Sequence, residues 1–275
     1  MNLMEFRKKL KIRLNILRIN CFEKLLFDST HLIEEFIGFL FSMSFTIVTI
    51  IFMTTLFRNV KEIAGYSIND IFVFQLIGQF NFFIINSWSS ENMQDMMTSV
   101  RSGAFDLILS KPVPSLFYTT FRKIDLLYLL TRMLPALIPY FLLINWSTLN
   151  IQASSALAAI IILISGQISL HVFQFMSCVS IFWFGRADDL YSLSWAFEYD
   201  LGRNIPYEGI TNDFRIIFIT IIPVLIPTAL TTSVLLQKSD ALIGIIIAAC
   251  SAIFSLVLKN WVWKKALKAY TSASS

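Results

Sequence analysis

Residues 156–184 read ALAAIIILISGQISLHVFQFMSCVSIFWF, a run of 29 residues without one Asp, Glu, Lys or Arg. A helix crosses ~30 Å of hydrocarbon in about 20 residues, so this run suffices for a tilted crossing or for a helix that continues past the membrane boundary. Five further apolar runs lie on either side of it, at 37–57, 68–88, 126–144, 216–236 and 241–262. Composition agrees: 56% of the 275 residues are hydrophobic, 15% aromatic and only 15% charged, with a mean hydropathy of +0.68. Soluble domains carry ~45–50% apolar and ~25% charged residues, so an ordinary globule is excluded. The expected fold is all-α: a polytopic membrane bundle of six transmembrane helices. In the 216–236 run, Pro223 and Pro227 each remove an amide donor and clash with the preceding turn, which predicts a broken or re-entrant segment there.

Lys and Arg are retained in the cytoplasm, so their distribution among alternate loops sets orientation. Six spans place 18 of the 22 basic residues on one side, among them Arg186, Arg203 and Arg215 in the loop before the fifth run. The other side receives Arg58, Lys61 and Lys238, and Arg132 falls inside the third span. Both termini are therefore expected in the cytoplasm. The net charge of +4 is a signal of topology and of lipid head groups and gives no support to nucleic-acid binding.

The whole chain, 1–275, is expected to form a single transmembrane domain: a cytoplasmic amphipathic helix over 1–30, the six-span bundle over 31–262 and a tail over 263–275. Leu3, Phe6, Leu10, Leu14, Leu17 and Cys21 follow the helical period in the first segment, with most basic residues elsewhere around the wheel. Such a helix lies at a membrane interface or docks on a cytoplasmic partner. The preceding polar stretch is too long and too charged for a cleaved signal peptide. Cys21, Cys178 and Cys250 are far apart in apolar surroundings and read as small buried hydrophobes.

Catalytic signatures are missing. The chain has no G-x-x-x-x-G-K-[ST], no H-E-x-x-H and no G-x-S-x-G, and its only histidines are His31 and His171. A multi-histidine metal site is impossible, and nucleotide phosphates have no loop to cradle them. An enzyme is the poorer reading, and any ATP-driven work belongs to another subunit.

The connection 89–123 is much longer than the ~2–8 residues that usually join helices in a bundle. Ser90 and Glu91 are expected to cap a short helix through Met93, Met96, Met97 and Val100, ended by Gly103, with Lys111-Pro112 as an extended exit. Methionines at helical spacing, if exposed, suit an adaptable docking surface, and Glu91, Asp95, Arg101 and Asp106 among them favour a protein partner over lipid.

Residues 100–112, VRSGAFDLILSKP, resemble the I-R-x-G-x-[LF]-D-x-x-L-x-[KR]-P segment of bacterial type-2 ATP-binding-cassette (ABC) transporter permeases. The six-span layout and the polar ending 268–275 are similar to that family as well. The resemblance implies a permease in the bacterial cytoplasmic (inner) membrane, paired with a second permease of the same or a homologous sequence and with two ATP-binding subunits. ATP and Mg would reside in those subunits, and this chain would need no cofactor. It also implies that the loop acts as a coupling helix, with Asp95, Met96, Val100, Arg101, Gly103, Phe105, Asp106, Lys111 and Pro112 facing the ATPase. Short re-entrant helices between the fifth and sixth spans fall at Pro223, Pro227 and residues 228–232. The run Arg203-Asn204-Ile205-Pro206-Tyr207 departs from the arginine-aromatic-proline pattern expected before the fifth span.

Polar side chains are costly in hydrocarbon and mark faces turned toward protein. Gln75, Gln79 and Asn86 share one side of the second span, and Gln167, His171, Gln174 and Cys178 one side of the fourth. Interhelical hydrogen bonding accounts for both stripes, and a translocation path lined by Gln75, Gln79, Asn86, Gln167, His171 and Gln174 is the functional alternative. Arg132 is expected to snorkel toward the cytoplasmic interface, and His171 to be a neutral hydrogen-bond partner. The leading expectation is an ABC exporter of an amphipathic drug, peptide or lipid working by alternating access. A non-transporting membrane scaffold or immunity-type protein is its competitor.

Overall fold

The computed structural model describes residues 29–270 together with Lys11, Ile12 and Asn15. Most of the amphipathic helix expected over 1–30 and the last five residues of the polar tail therefore lie outside the described residues. Within them the chain is helical, with no strand. The helices are α1 (Ser29–Leu56), α2 (Ile68–Ser102), α3 (Phe105–Leu109) and α4 (Ser115–Phe121). Next comes α5, built from Leu126–Tyr128, a wide turn Leu129–Met133 and Leu134–Leu143, then α6 (Ala153–Phe184) and α7 (Asp188–Ala196, prolonged by Phe197–Gly202). The last are α8 (Asn212–Thr220), α9 (Ile226–Leu235) and α10 (Ala241–Ala269). Five stretches are long and apolar enough to cross a membrane: Ile33–Leu56, α2, Ser115–Leu143, α6 and α10.

The two ends of the bundle are fixed by the two ends of α2. At one end Ser67 and Asp70 form a capping box over the first turn of α2, and Tyr66 is fully buried. At the other, α2 stops at Gly103, whose φ of 75° is the left-handed conformation that glycine adopts without strain. The 35 residues of α2 rise ~52 Å at 1.5 Å each, so the helix outreaches the hydrocarbon and its Glu91–Ser102 half projects from it. No separate cap starts this half. Asn86 donates to the carbonyl of Phe82 at 2.8 Å and Ser87 to that of Ile84 at 2.8 Å, which carries the helix through a wide turn at Asn86–Ser90. Ser90 is helical and makes no capping bond, contrary to the sequence expectation.

The apolar run 216–236 is not a crossing. The polar stretch before it connects the two ends: Asp188 pairs with Arg101 at 2.7 Å, while Glu208 accepts from the Tyr66 hydroxyl at 2.6 Å. The fifteen residues of 188–202 rise ~22 Å as a helix, and the extended residues that follow cover the remaining distance. From Glu208 the chain turns back into the bundle as α8, reverses at residues 221–225, and returns as α9 to the Tyr66 end, where Lys238 pairs with Asp70 at 3.2 Å. Both limbs of this hairpin open at the same end. Pro223 lies in the reversal and Pro227 at the start of α9. Hydropathy misses the crossing because it carries Glu198, Asp200 and Arg203, and takes the apolar hairpin in its place.

Lipid tails are as apolar as leucine, so close packing has to hold such helices together, and small residues supply it. On α10, Gly244, Ala248, Ala252 and Ser255 are buried against Ala158, Ala159, Ile162, Gly166 and Ser169 on α6. Ser251 donates to Ser169 at 3.0 Å across this seam. A Cβ on Gly166 would stand 2.6 Å from the backbone of Pro227, so only glycine lets the re-entrant hairpin approach α6 so closely.

Candidate functional site

At the Arg101 end the motif stretch closes over the ends of α6 and α10. Phe105 is fully buried, with Phe182, Trp263 and Tyr270 rings at 5.3, 6.0 and 5.2 Å. Met93, Met96 and Met97 are buried in the same cluster. That corrects the expectation that they form an exposed docking face: α2 turns them inward, onto α6 and α10. Of the coupling residues, Arg101, Lys111 and Pro112 are exposed, Asp95, Val100, Gly103 and Asp106 half-buried, and Met96 and Phe105 enclosed. On α3 the outward apolar side chains are Leu107 (68% exposed) and Leu109. Asp95 points back toward Lys123 at 3.0 Å and Arg122 at 3.6 Å.

The motif is wired to the membrane helices by a residue that sequence reading passed over. Buried Asn92 donates to the carbonyls of Trp88, Thr120 and Lys123 at 2.6, 3.1 and 2.8 Å and accepts from the amide of Lys123 at 2.9 Å. It thereby joins α2 to the junction of α4 and α5.

The two polar stripes do not form one lining. Gln75 donates to the carbonyl of Arg203 at 3.4 Å. Gln167 donates to the carbonyl of Asn81 at 3.0 Å, and Asn81 to the fully buried carboxylate of Glu198 at 3.3 Å. Asn86 is spent on its own helix, and Gln174 is buried with both amide atoms unpartnered. His171 belongs to a third group. Its Nε2 lies 2.7 Å from Lys259 Nζ and its Nδ1 2.8 Å from Ser89 Oγ, while Lys259 also donates to Thr120 at 2.8 Å. With Lys259 Nζ as the donor, Nε2 accepts, the imidazole is neutral, and its Nδ1 proton goes to Ser89. Asn81, Ser89, Glu198 and Lys259 were missing from the sequence-predicted set. Lys259 read as a flanking charge, and Glu198 sat in what looked like a loop.

Arg203 and Arg215, both assigned from sequence to the Arg101 side, leave it. Arg203 is 3% exposed, and its guanidinium sits 4.4, 4.6 and 5.9 Å from the ring centroids of Phe82, Tyr199 and Phe45. Arg215 donates to the carbonyl of Ile210 at 2.8 Å, close to the Glu208 end. Arg132 does not simply snorkel. It pairs with Glu35 at 3.4 Å and lies over the Tyr128 ring at 5.1 Å.

Among the described residues no group of three or more His, Cys, Asp and Glu could hold a metal ion. The site consists of a packed platform at one end, a polar crossing and a re-entrant hairpin at the other, which is the construction of a membrane permease. Residues 43–274 match the family described as ABC-2 family transporter protein. The chain belongs to that family, and is a multi-pass membrane component of an ABC transporter, not itself catalytic, of a kind that generally works with an ATP-binding subunit. No curated protein and no solved structure matches the chain.

Proposed function

We propose that this chain is the permease of an ATP-driven exporter in a bacterial cytoplasmic membrane, moving an amphipathic substrate by alternating access. Two ATP-binding subunits, which hold ATP and Mg, press on the Arg101 end, and that end faces the cytoplasm together with both termini. A second permease, identical or homologous, completes the path. The observation that carries this reading is the seating of α3. Its buried face, Phe105 and Ile108, packs on the ends of α6 and α10, while Leu107 and Leu109 face outward. A push on the outer face is therefore delivered to two long helices at once, and through Asn92 to α5. Gly103 and the half-buried Asp106, which meets the Tyr270 hydroxyl, hold α3 at its angle.

The polar crossing and the re-entrant hairpin supply the moving path, in which amide groups and rings outnumber fixed charges. That chemistry suits an amphiphile better than an ion. The test is ATPase activity of the reconstituted complex after Asp106→Ala and Gly103→Pro. Coupled turnover is expected to fall at least tenfold while the chain still inserts. Unchanged assembly and turnover would show that the ATPase does not act through this segment.

A further inference from the structure

A cavity of about 650 Å³ lies between α1, α2, α5 and α7. Arg203 closes its deep end. Among the described residues no acceptor takes a hydrogen bond from this guanidinium and no carboxylate pairs with it, and its Nε is buried without a partner. The three rings around it stack on its face and cannot satisfy its N–H groups, which lie in the guanidinium plane. Glu198, the nearby opposite charge, is turned to Asn81 and leaves its own Oε2 unpartnered. Gln79 lines the same cavity, its buried Nε2 making no hydrogen bond of good geometry and lying within reach of the Tyr140 hydroxyl alone. The buried Arg203 guanidinium is thus left without an acceptor at this space, with the Gln79 amide beside it. Leaving its bonds unmade costs the desolvation of the group, so the space is built for something that accepts.

Its shape narrows the class. Ile37, Phe41, Phe83 and Tyr128 give an apolar wall between Arg203 and a second guanidinium, Arg132, which is paired with Glu35 and near which Glu34 also lines the cavity. That guanidinium packs so tightly on α1 that a Cβ on Gly38 would lie 2.4 Å from its Nε. From the level of Gly38 to that of Phe45 is seven residues of α1, ~10 Å. We infer that this cavity binds an amphiphile with an anionic head, a carboxylate or phosphate held by Arg203 and Gln79, and a hydrocarbon or aromatic body lying along the ring-lined wall toward Arg132.

The inference deepens the export reading by giving the amphiphile a charge, and it is tested without the ATPase so that the two can fail separately. The full-length chain in phosphatidylcholine nanodiscs is titrated with dodecyl phosphate, with fluorescence of Trp195, which lines the cavity, as the readout and Trp195→Phe as the blank. Saturable quenching is expected, with dodecyltrimethylammonium and inorganic phosphate at least tenfold weaker. Arg203→Gln should weaken binding about 10–100-fold, the equivalent of one or two charge-assisted hydrogen bonds. Gln79→Leu, which keeps Arg203, should weaken it roughly 3–10-fold and decides the matter if the arginine variant does not fold. Competition by added phosphatidylglycerol identifies the occupant as resident lipid, and its absence as a free amphiphile, both within the inference. Equal affinity for the cationic and anionic amphiphiles, or undiminished binding in folded Arg203→Gln or Gln79→Leu, would overturn it.

Discussion

Asn92 accepts the backbone amide of Lys123 at 2.9 Å and donates back to the carbonyl of the same residue at 2.8 Å, pairing one side chain with the peptide groups at the junction of α4 and α5. Leucine is close to asparagine in size but can make neither bond. Asn92→Leu leaves the carbonyls of Thr120 and Lys123 and the amide of Lys123 without this partner, each worth ~1–3 kcal/mol where it stays unsatisfied. A loss of about 2–4 kcal/mol is expected, read as a lowered midpoint of detergent-denaturation. If α2 drives α5 through this contact, ATP turnover in the reconstituted complex should also lose its dependence on substrate.

The re-entrant hairpin depends on Gly166. Gly166→Val drives its side chain into Pro227, and overpacking of this kind costs ~1–3 kcal/mol. Thr228, fully buried, reports the outcome. In a background without native cysteines, Thr228→Cys is expected to resist a membrane-impermeant maleimide and to become reactive at least fivefold faster when Gly166→Val is added.

Lys259 and His171 should behave asymmetrically. His171→Leu leaves the buried Lys259 amine with Thr120 as its one remaining acceptor, with an expected cost of about 2–3 kcal/mol, the scale of a lost hydrogen bond to a charged group. Lys259→Met removes the charge itself and leaves only a neutral imidazole to satisfy, costing roughly 1–2 kcal/mol. The double variant should be more stable than His171→Leu alone, a non-additivity measurable in a thermal double-mutant cycle.

At the other end of the bundle, burial and then the hydrogen bond to Glu208 push the Tyr66 hydroxyl well above its ordinary value of 10.0. A group whose folded pKa is raised stabilises the fold fully below its unfolded pKa, and the contribution is lost as pH rises beyond it. Unfolding stability should therefore fall as the pH passes above 10.0. Tyr66→Phe should be weaker by about 1 kcal/mol at neutral pH and show a shallower alkaline decline. Parallel declines in the two proteins would remove Tyr66 as the source.

The long apolar helices were legible in the sequence because a run such as 156–184 has no competing interpretation. The motif at Arg101, Gly103 and Asp106 was legible as a motif, and Gly103 does end its helix. Its methionines misled, since helical spacing fixes a common face without saying whether that face is turned to partner or core. The fifth crossing was illegible for a physical reason. Residues 188–208 set Glu198 against Asn81 and the face of Arg203 against Tyr199 of the same segment and Phe45 and Phe82 of distant helices, and hydropathy credits none of those contacts. The same blindness hid Lys259, whose acceptor His171 lies 88 residues away. The stripe of Gln75 and Gln79 was correctly read as facing protein, but what it faces, Arg203, had been assigned to the surface.

The claim on which the rest depends is that the chain passes from one end of the bundle to the other between Asp188 and Glu208, carrying Arg203 into its interior. Asp189 is 89% exposed at the Arg101 end, and Asp213 is exposed beyond Glu208. In a cysteine-free background, Asp189→Cys and Asp213→Cys are to be labelled in intact cells and in inverted vesicles with an impermeant maleimide. The account predicts opposite sidedness, with Asp213→Cys reacting in cells and Asp189→Cys only in inverted vesicles. Labelling of both from the same face, as hydropathy alone would place them, would contradict it.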